Sequence, residues 1–255
     1  MHHAGKVALV TGASRGIGAA IARRLAREGL KVIVTGRSKG PLDEVANAIG
    51  GHAAAADVTD VNALVAAIRE AEEAVGPVDV LVNNAGNAGV EGFAKLTDFA
   101  DSDPSDWPRY FGVNLFGVMH ATRAALPSMI EAGWGRVITI ISDSSRHGDA
   151  KLAPYAAAKA GAAGFCRSVA REVGRHGITV NCVSLANIAT PATAPPPPET
   201  DEERERERAF LRPYVIRRRG RPDDVAGMVT YLASPLASWI TGQTYAVNGG
   251  YTFSM

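Results

Sequence analysis

The stretch Val7-Ala8-Leu9-Val10-Thr11-Gly12-Ala13-Ser14-Arg15-Gly16-Ile17-Gly18 decides the fold. A short apolar run rich in valine ends in a glycine turn, and the turn opens into helical spacing over Gly18–Glu28. With strand, glycine turn and helix start in that order, backbone N–H groups at the helix N-terminus can meet a pyrophosphate with no side chain in the way. The glycines fall as G-x-x-x-G-x-G rather than G-x-G-x-x-G, which is informative in itself. A tight turn that needs glycine only for packing would look the same in isolation, so the reading depends on the rest of the chain.

The rest of the chain alternates. Val7–Thr11, Lys31–Thr35, His52–Ala56, Val78–Val82, Arg136–Ile141, Thr179–Val183 and Tyr245–Val247 read as seven strands. Several are apolar almost throughout, as parallel strands covered on both faces must be. Between them, Gly18–Glu28, Asp60–Val75, Trp107–Ala132, Tyr155–Arg175 and Pro222–Ala233 carry helical spacing. This predicts an α/β protein over residues 1–255: a single Rossmann-type, doubly wound domain whose seven-stranded parallel sheet has helices on both faces and right-handed crossovers. The one compositional break is the proline run Pro195–Pro198 and the charged segment after it.

Composition narrows the function. With 255 residues and 46% hydrophobic content, the chain can bury one large core. Its 27 basic and 26 acidic side chains leave a net charge of +1, so no global field draws it to nucleic acid or an anionic membrane. The two cysteines, Cys166 and Cys182, lie in apolar stretches without metal or redox spacing, and read as core thiols in a reducing compartment. The first residues lack an apolar signal core, and no uncharged apolar stretch is long enough to span a bilayer. A cytoplasmic protein without a metal site is expected.

Tyr155 and Lys159 carry the chemistry. Four apart on a helix, they share a face, and an ammonium there can favour the phenolate form of a nearby tyrosine. Such pairs arise by chance on many helices as a half-buried aromatic beside a solvated lysine. Asn83-Asn84-Ala85-Gly86, Asn114 and Ser142, at the end of an apolar run, raise an oxidoreductase reading above that bland one. Alone, Ser142 and Asn114 would pass for a strand-end cap and a polar helix residue.

In these motifs and their order the chain resembles the short-chain dehydrogenases/reductases, a likeness covering nearly its whole length from Thr11–Gly18 to Ile240-Thr241-Gly242-Gln243. The resemblance implies that Gly12, Ser14, Arg15, Gly16, Ile17 and Gly18 hold the dinucleotide, with Asp57 and Val58 near its adenine and Asn84, Ala85 and Gly86 along the adenosine ribose. Asn83 would tie neighbouring strand ends together. Tyr155 would be the proton donor or base, Lys159 would also bind the nicotinamide ribose, Ser142 would hydrogen-bond the substrate oxygen, and Asn114 would kink its helix and hold a relay water. Ile188 and Thr190 match positions that meet the carboxamide, although Leu185-Ala186 stands where the family usually has Pro-Gly.

Charge argues the choice of cofactor. An acid at the end of the second strand would accept the ribose 2′-hydroxyl of NAD and repel a 2′-phosphate, but Gly36 stands there, followed by Arg37. Arg37 and Arg15 can clamp that phosphate, so NADP(H) is favoured and NAD(H) is the alternative. The expected substrate is a small carbonyl or alcohol, with a 3-oxoacyl thioester on acyl carrier protein or coenzyme A suggested by the basic Arg217–Arg219 and the loop after Ser142. Residues 190–216 are expected to form a substrate lid, with Glu202 or Glu203 pairing Arg206 and with Phe210, Leu211, Tyr214 and Val215 on its inner face. Asp143 and His147 are expected at the pocket. The family resemblance implies a homotetramer built on the helices of Asn114 and Tyr155, whose Ala156, Ala160 and Ala163 to Gly164 would allow close approach. Competing readings are an NAD-dependent alcohol or hydroxyacyl-CoA dehydrogenase, a lyase or epimerase using the nucleotide transiently, and a non-catalytic dinucleotide-binding protein.

Overall fold

Strand β1 (Val7–Thr11) is buried along its whole length because it lies between β2 (Lys31–Gly36) and β4 (Val80–Asn83), parallel to both. Beyond β2 lies β3 (His52–Ala55); beyond β4 lie β5 (Gly135–Ser142), β6 (Ile178–Leu185) and β7 (Thr244–Val247). In this computed structural model, which describes residues 5–87 and 97–253, the seven strands form one parallel sheet in the order β3-β2-β1-β4-β5-β6-β7. His2 and His3 lie outside the described residues. The chain winds outward from β1 to β3, then starts again at β4 in the other direction. The crevice beyond the ends of β1 and β4 is therefore the topological switch point, where open α/β sheets bind ligands.

Alternation along β1 divides the core. Val7 and Leu9 face one cluster with α3 (Val61–Val75), α5 (Gly117–Ala132) and α7 (Ala153–Val173), through Leu64, Ile68, Ala125, Met129, Ala162 and Cys166. Ala8 and Val10 face the other, with α1 (Gly16–Arg27), α2 (Lys39–Ile49) and α9 (Pro222–Ala233), through Ile21, Leu25, Leu42, Val229 and Leu232. Each fully buried leucine or isoleucine on these faces contributes about 1.5–3 kcal/mol.

All seven expected strands form, with ends moved by a residue or two, and α9 has the expected bounds. Two helical expectations need correction. Helix α2 was not among the expected helices; its Gly40 and Pro41 sit in its first turn, where a missing N–H costs no intrahelical bond. The single helix expected over Trp107–Ala132 is α4 (Trp107–Phe111), a π-helical turn at Gly112–Phe116, and α5. The short α6 (Ser144–His147) and α8 (Asp201–Leu211) complete the α-helices among the described residues.

Candidate active site

The glycine turn is held by close backbone contact. Gly12 and Gly16 take left-handed φ angles of +63° and +56°, and a Cβ on Gly12 would lie 2.8 Å from the Ala85 Cα. A Cβ on Gly18 would lie 2.3 Å from the Gly12 carbonyl oxygen and 2.5 Å from Asn84 Nδ2. Thr11 Oγ1 accepts the N–H groups of Asn84 and Ala85, both at 3.0 Å. Asn84 Nδ2 donates to the carbonyls of Thr11 at 2.9 Å and Gly12 at 3.1 Å, so this amide clips β4 to the turn. Asn83, donating to Thr122 Oγ1 at 3.0 Å and Thr139 Oγ1 at 3.3 Å, ties β4 to α5 and β5 as expected.

This cradle fits the phosphates of a dinucleotide. Arg15 makes no side-chain cap on α1, so the N–H donors of its first turn can meet an anion, and glycine at 12, 16 and 18 lets the turn pack directly against Ala85, Thr190 and Asn84. Thr190 stands over it from the far side, its Cγ2 3.3 Å from where a Gly16 Cβ would be. Ser14 and Ile17 are half-buried in the turn, while Arg15 and Arg37 are exposed on its rim and at the end of β2. Asp57 Oδ1 accepts the Thr59 N–H and hydroxyl at 2.9 and 2.8 Å, and Val58 is buried against α5. Ile188, half-buried, makes a parallel bridge to Gly220.

Ser142, Tyr155, Lys159 and Asn114 meet beside the cradle. Ser142 closes β5, and Pro154 at the start of α7 sets Tyr155 on the helix's first turn, where its half-buried phenol lies beside Ser142. Lys159 is buried and donates to the Ile140 carbonyl at 2.9 Å, its Nζ 6.0 Å from the Tyr155 ring centre. Asn114 lies in the π turn because its amide competes with the helix ladder: Nδ2 donates to the carbonyls of Tyr110 and Asn87, both at 3.0 Å, while Oδ1 accepts the Asn87 N–H at 3.1 Å. A Cβ on Gly86 would lie 2.8 Å from Asn114 Oδ1 and 2.9 Å from Lys159 Nζ, which brings all three elements to one point.

The electrostatics correct one expectation. Burial raises the Tyr155 phenol above its ordinary value, the Ser142 hydrogen bond opposes this, and the Asp149 charge adds to it. Burial also pulls Lys159 down to about 8. In the protein alone, therefore, burial of the phenol decides the direction, and the phenol holds its proton through neutral pH.

Other expectations fail around the pocket. Asp143 does not line it: buried, it accepts Ser184 Oγ at 2.5 Å, Asn248 Nδ2 at 2.6 Å and Thr252 Oγ1 at 2.9 Å, tying the segment after β7 to β5. His147 is exposed, edge-on to Tyr251 at 5.6 Å. In α8, Glu202 pairs with Arg206 as expected, but Glu203 instead completes a capping box with Thr200. Of the expected inner face only Tyr214 is buried; Phe210 is covered on one side by Arg219, 3.9 Å from its ring, and Val215 is 66% exposed. Arg219 also pairs with Glu207 at 2.6 Å and Arg218 with Asp224 at 2.6 Å, so the basic loop is largely neutralised. A cavity of about 240 Å³ at the N-terminus of α7, walled by Phe99, Trp107, Tyr110 and Lys151, does not include the reaction centre. Sequence reasoning missed Ser144 and Asp149, which contact that centre through hydrogen bonds among loop residues with no periodic signal.

Comparison with known proteins agrees with this geometry. Residues 12–252 match a family model described as Enoyl-(Acyl carrier protein) reductase. The chain is 38% identical over 252 residues to the 3-oxoacyl-(acyl-carrier-protein) reductase FabG of Vibrio harveyi, covering 98% of both chains. It is 35% identical over 256 residues to nodulation protein G of Azospirillum brasilense, covering 97% of this chain and 98% of the relative. A solved structure of a candidate short-chain alcohol dehydrogenase from Sinorhizobium meliloti 1021 superposes with a TM-score of 0.86 at 35% identity, covering 97% of this chain and 96% of that one. With the glycine cradle and the tyrosine–lysine pair in place on a seven-stranded parallel sheet, the chain belongs to the short-chain dehydrogenase/reductase family and is an oxidoreductase.

Proposed function

We propose that the protein is an NADP(H)-dependent reductase that interconverts a carbonyl and a secondary alcohol, with a 3-oxoacyl thioester on acyl carrier protein or coenzyme A as its favoured substrate class. The observation that carries the reading is the convergence of Ser142, Tyr155, Lys159 and Asn114 beside the glycine cradle. The names borne by the Vibrio relatives support the thioester. Gly12, Ser14, Arg15, Gly16, Ile17 and Gly18 would hold the pyrophosphate, Asp57 and Val58 the adenine, Asn84, Ala85 and Gly86 the ribose, and Ile188 and Thr190 the carboxamide. Bound there, the nicotinamide supplies or accepts the hydride.

The chain's own residues handle the proton. Tyr155 gives its phenolic proton to the carbonyl oxygen, a role suited to a phenol that burial keeps protonated. Ser142 donates a hydrogen bond to the same oxygen as charge develops on it. Lys159, anchored by the Ile140 carbonyl, binds the nicotinamide ribose, and Asn114 keeps Gly86 and Asn87 against the lysine. A panel of 3-oxoacyl thioesters, simple ketones and an enoyl thioester, followed through the absorbance of NADPH, tests the reading. Oxidation with the 3-oxoacyl thioesters is expected; turnover of the enoyl thioester alone, or of nothing, overturns it.

Arg37 and Arg15 support NADP(H), and Gly36 makes the choice testable. A Cβ on Gly36 would meet only Leu42 side-chain carbons, at 3.6 Å or beyond, so an aspartate fits there. Gly36→Asp with Arg37→Leu should lower NADPH affinity about tenfold or more, because a charge-assisted contact of about 1.5–3 kcal/mol is lost and a repulsive carboxylate gained. NADH should gain modestly. Comparing kcat/KM for the two cofactors decides the matter, and a parent protein that already prefers NADH overturns the assignment.

The same reading includes a cytoplasmic homotetramer. Exposed Phe116, Met119 and Ile130 on the π turn and α5, with Ala160 on α7, support contact between copies, whereas Ala163 packs inside the subunit. Light scattering at micromolar concentration should give four times the monomer mass; a monomer refutes it. Free, buried Cys166 and Cys182 support a reducing compartment.

A further inference from the structure

A chain of hydrogen bonds runs from the reaction centre to the residues after β7. Ser142 Oγ donates to Ser144 Oγ at 3.1 Å, Ser144 Oγ donates to Asp149 Oδ2 in a short contact, and the Tyr251 hydroxyl donates to Asp149 Oδ1 at 3.2 Å. The Ser144 N–H also donates to Ser142 Oγ at 3.2 Å, so the two serines are joined twice. An ionised carboxylate only accepts, and this orders the protons: that of Ser144 points at Asp149, which leaves Ser144 lone pairs for the proton of Ser142. When the Tyr155 oxygen or a substrate carbonyl stands beside it, the Ser142 hydroxyl can turn its proton from Ser144 to that oxygen while the Ser144 N–H still holds Ser142 Oγ.

We propose that Asp149 is a positioning residue of the reaction centre: through Ser144 it orients the Ser142 hydroxyl and sets a carboxylate one serine away from the residue beside the Tyr155 phenol, so that both directions of the reaction run at higher pH than they would with a neutral side chain there. The inference rests on the catalytic reading of Ser142 and Tyr155. Charged and titratable groups face this centre from several elements. Lys159 and Cys182 lie on α7 and β6, Asp143, Arg146 and His147 lie in and beside α6, and Tyr214 and Tyr251 stack on each other at 5.0 Å. Asp143 is saturated by Ser184, Asn248 and Thr252, whereas Asp149 reaches the serine that touches the phenol. Burial is the first cause of the raised Tyr155, Tyr214 and Tyr251 phenols, and the Asp149 charge adds to all three.

The test uses two readouts on the whole protein. Tyrosinate absorbance is titrated without cofactor, with the Tyr155 contribution isolated by subtracting the Tyr155→Phe protein, and kcat/KM is measured against pH in both directions. Asp149→Asn should move the Tyr155 ionisation, the alkaline limb of reduction and the rising limb of oxidation toward neutral pH by about half a unit to one unit. Asp149→Glu should restore them. Ser144→Ala keeps the charge but frees the Ser142 proton, so it should change kcat while leaving the limbs in place. Tyr251→Phe should move neither. Superimposable profiles for the parent and Asp149→Asn overturn the proposal, as does an equal shift in Tyr251→Phe, which would assign the effect to packing of the C-terminal segment. If no carbonyl is turned over but the absorbance titration shifts as expected, the proposed reaction falls and the coupling of Asp149 to Tyr155 stands.

Discussion

Replacing Tyr155 with phenylalanine lowers kcat by about 10²–10⁴, the range set by removal of a general acid, and leaves NADP(H) affinity nearly unchanged. The substitution takes away one oxygen and keeps the ring that packs on the first turn of α7. The cradle that would hold the cofactor is fixed by contacts remote from that oxygen: Thr11 and Asn84 clip the glycine turn, and Thr190 stands over Gly16. Ser142 stays held by the Ser144 N–H, and its hydroxyl proton remains for the substrate oxygen, which so retains one partner. Lys159→Ala behaves differently, harming turnover and cofactor affinity together, because it removes the cation beside Gly86 and leaves the Ile140 carbonyl without its donor. Single-turnover rates and fluorescence titration of NADPH separate the two effects. Near-normal turnover by the phenylalanine protein would remove Tyr155 from the mechanism.

What was legible in the sequence and what was not divides by the range and kind of the interaction. Buried parallel strands must be apolar on both faces, so Val7–Thr11 and Ile178–Leu185 announce themselves, and the glycine turn is visible because only glycine tolerates contact with Ala85 and Asn84. The π turn at Asn114 was hidden in the pattern because residues on both sides keep helical spacing, and what breaks the ladder is a side-chain amide bonded to Asn87 and Tyr110. Lys159 has a backbone carbonyl as its partner, which no residue type reveals, and it is burial of the Tyr155 phenol that raises it. Asp143 and Asp149 look like ordinary loop acids since the groups that engage them, Asn248 and Tyr251, are separated from them by 105 and 102 positions. In α8 the opposite holds: Glu202 and Arg206 pair locally, as their spacing says.

The same logic gives the largest expected effect on stability. Gly18→Ala should lower stability by about 3 kcal/mol and the melting temperature by about 6–12 °C, and should weaken NADPH binding more than tenfold. Helix propensity argues the other way, because alanine is favoured over glycine by about 1 kcal/mol inside a helix, and Gly18 lies in α1 without a left-handed φ. Sterics decide the sign. The new methyl would sit 2.3 Å from the Gly12 carbonyl oxygen, 2.5 Å from Asn84 Nδ2 and 2.9 Å from the Ala13 Cα. Two of these are backbone atoms of the turn, and Asn84 is held by the carbonyls of Thr11 and Gly12, so none can yield without displacing the N–H groups that would bind the pyrophosphate. Gly40→Ala is the matched control: the same change in α2, where a Cβ meets nothing within 4 Å, should stabilise by up to about 1 kcal/mol and leave binding alone. Thermal melts with and without NADPH compare the pair. If Gly18→Ala melts with the parent and is stabilised equally by the nucleotide, then the close approach of α1 to the β4 loop is not what builds the cradle.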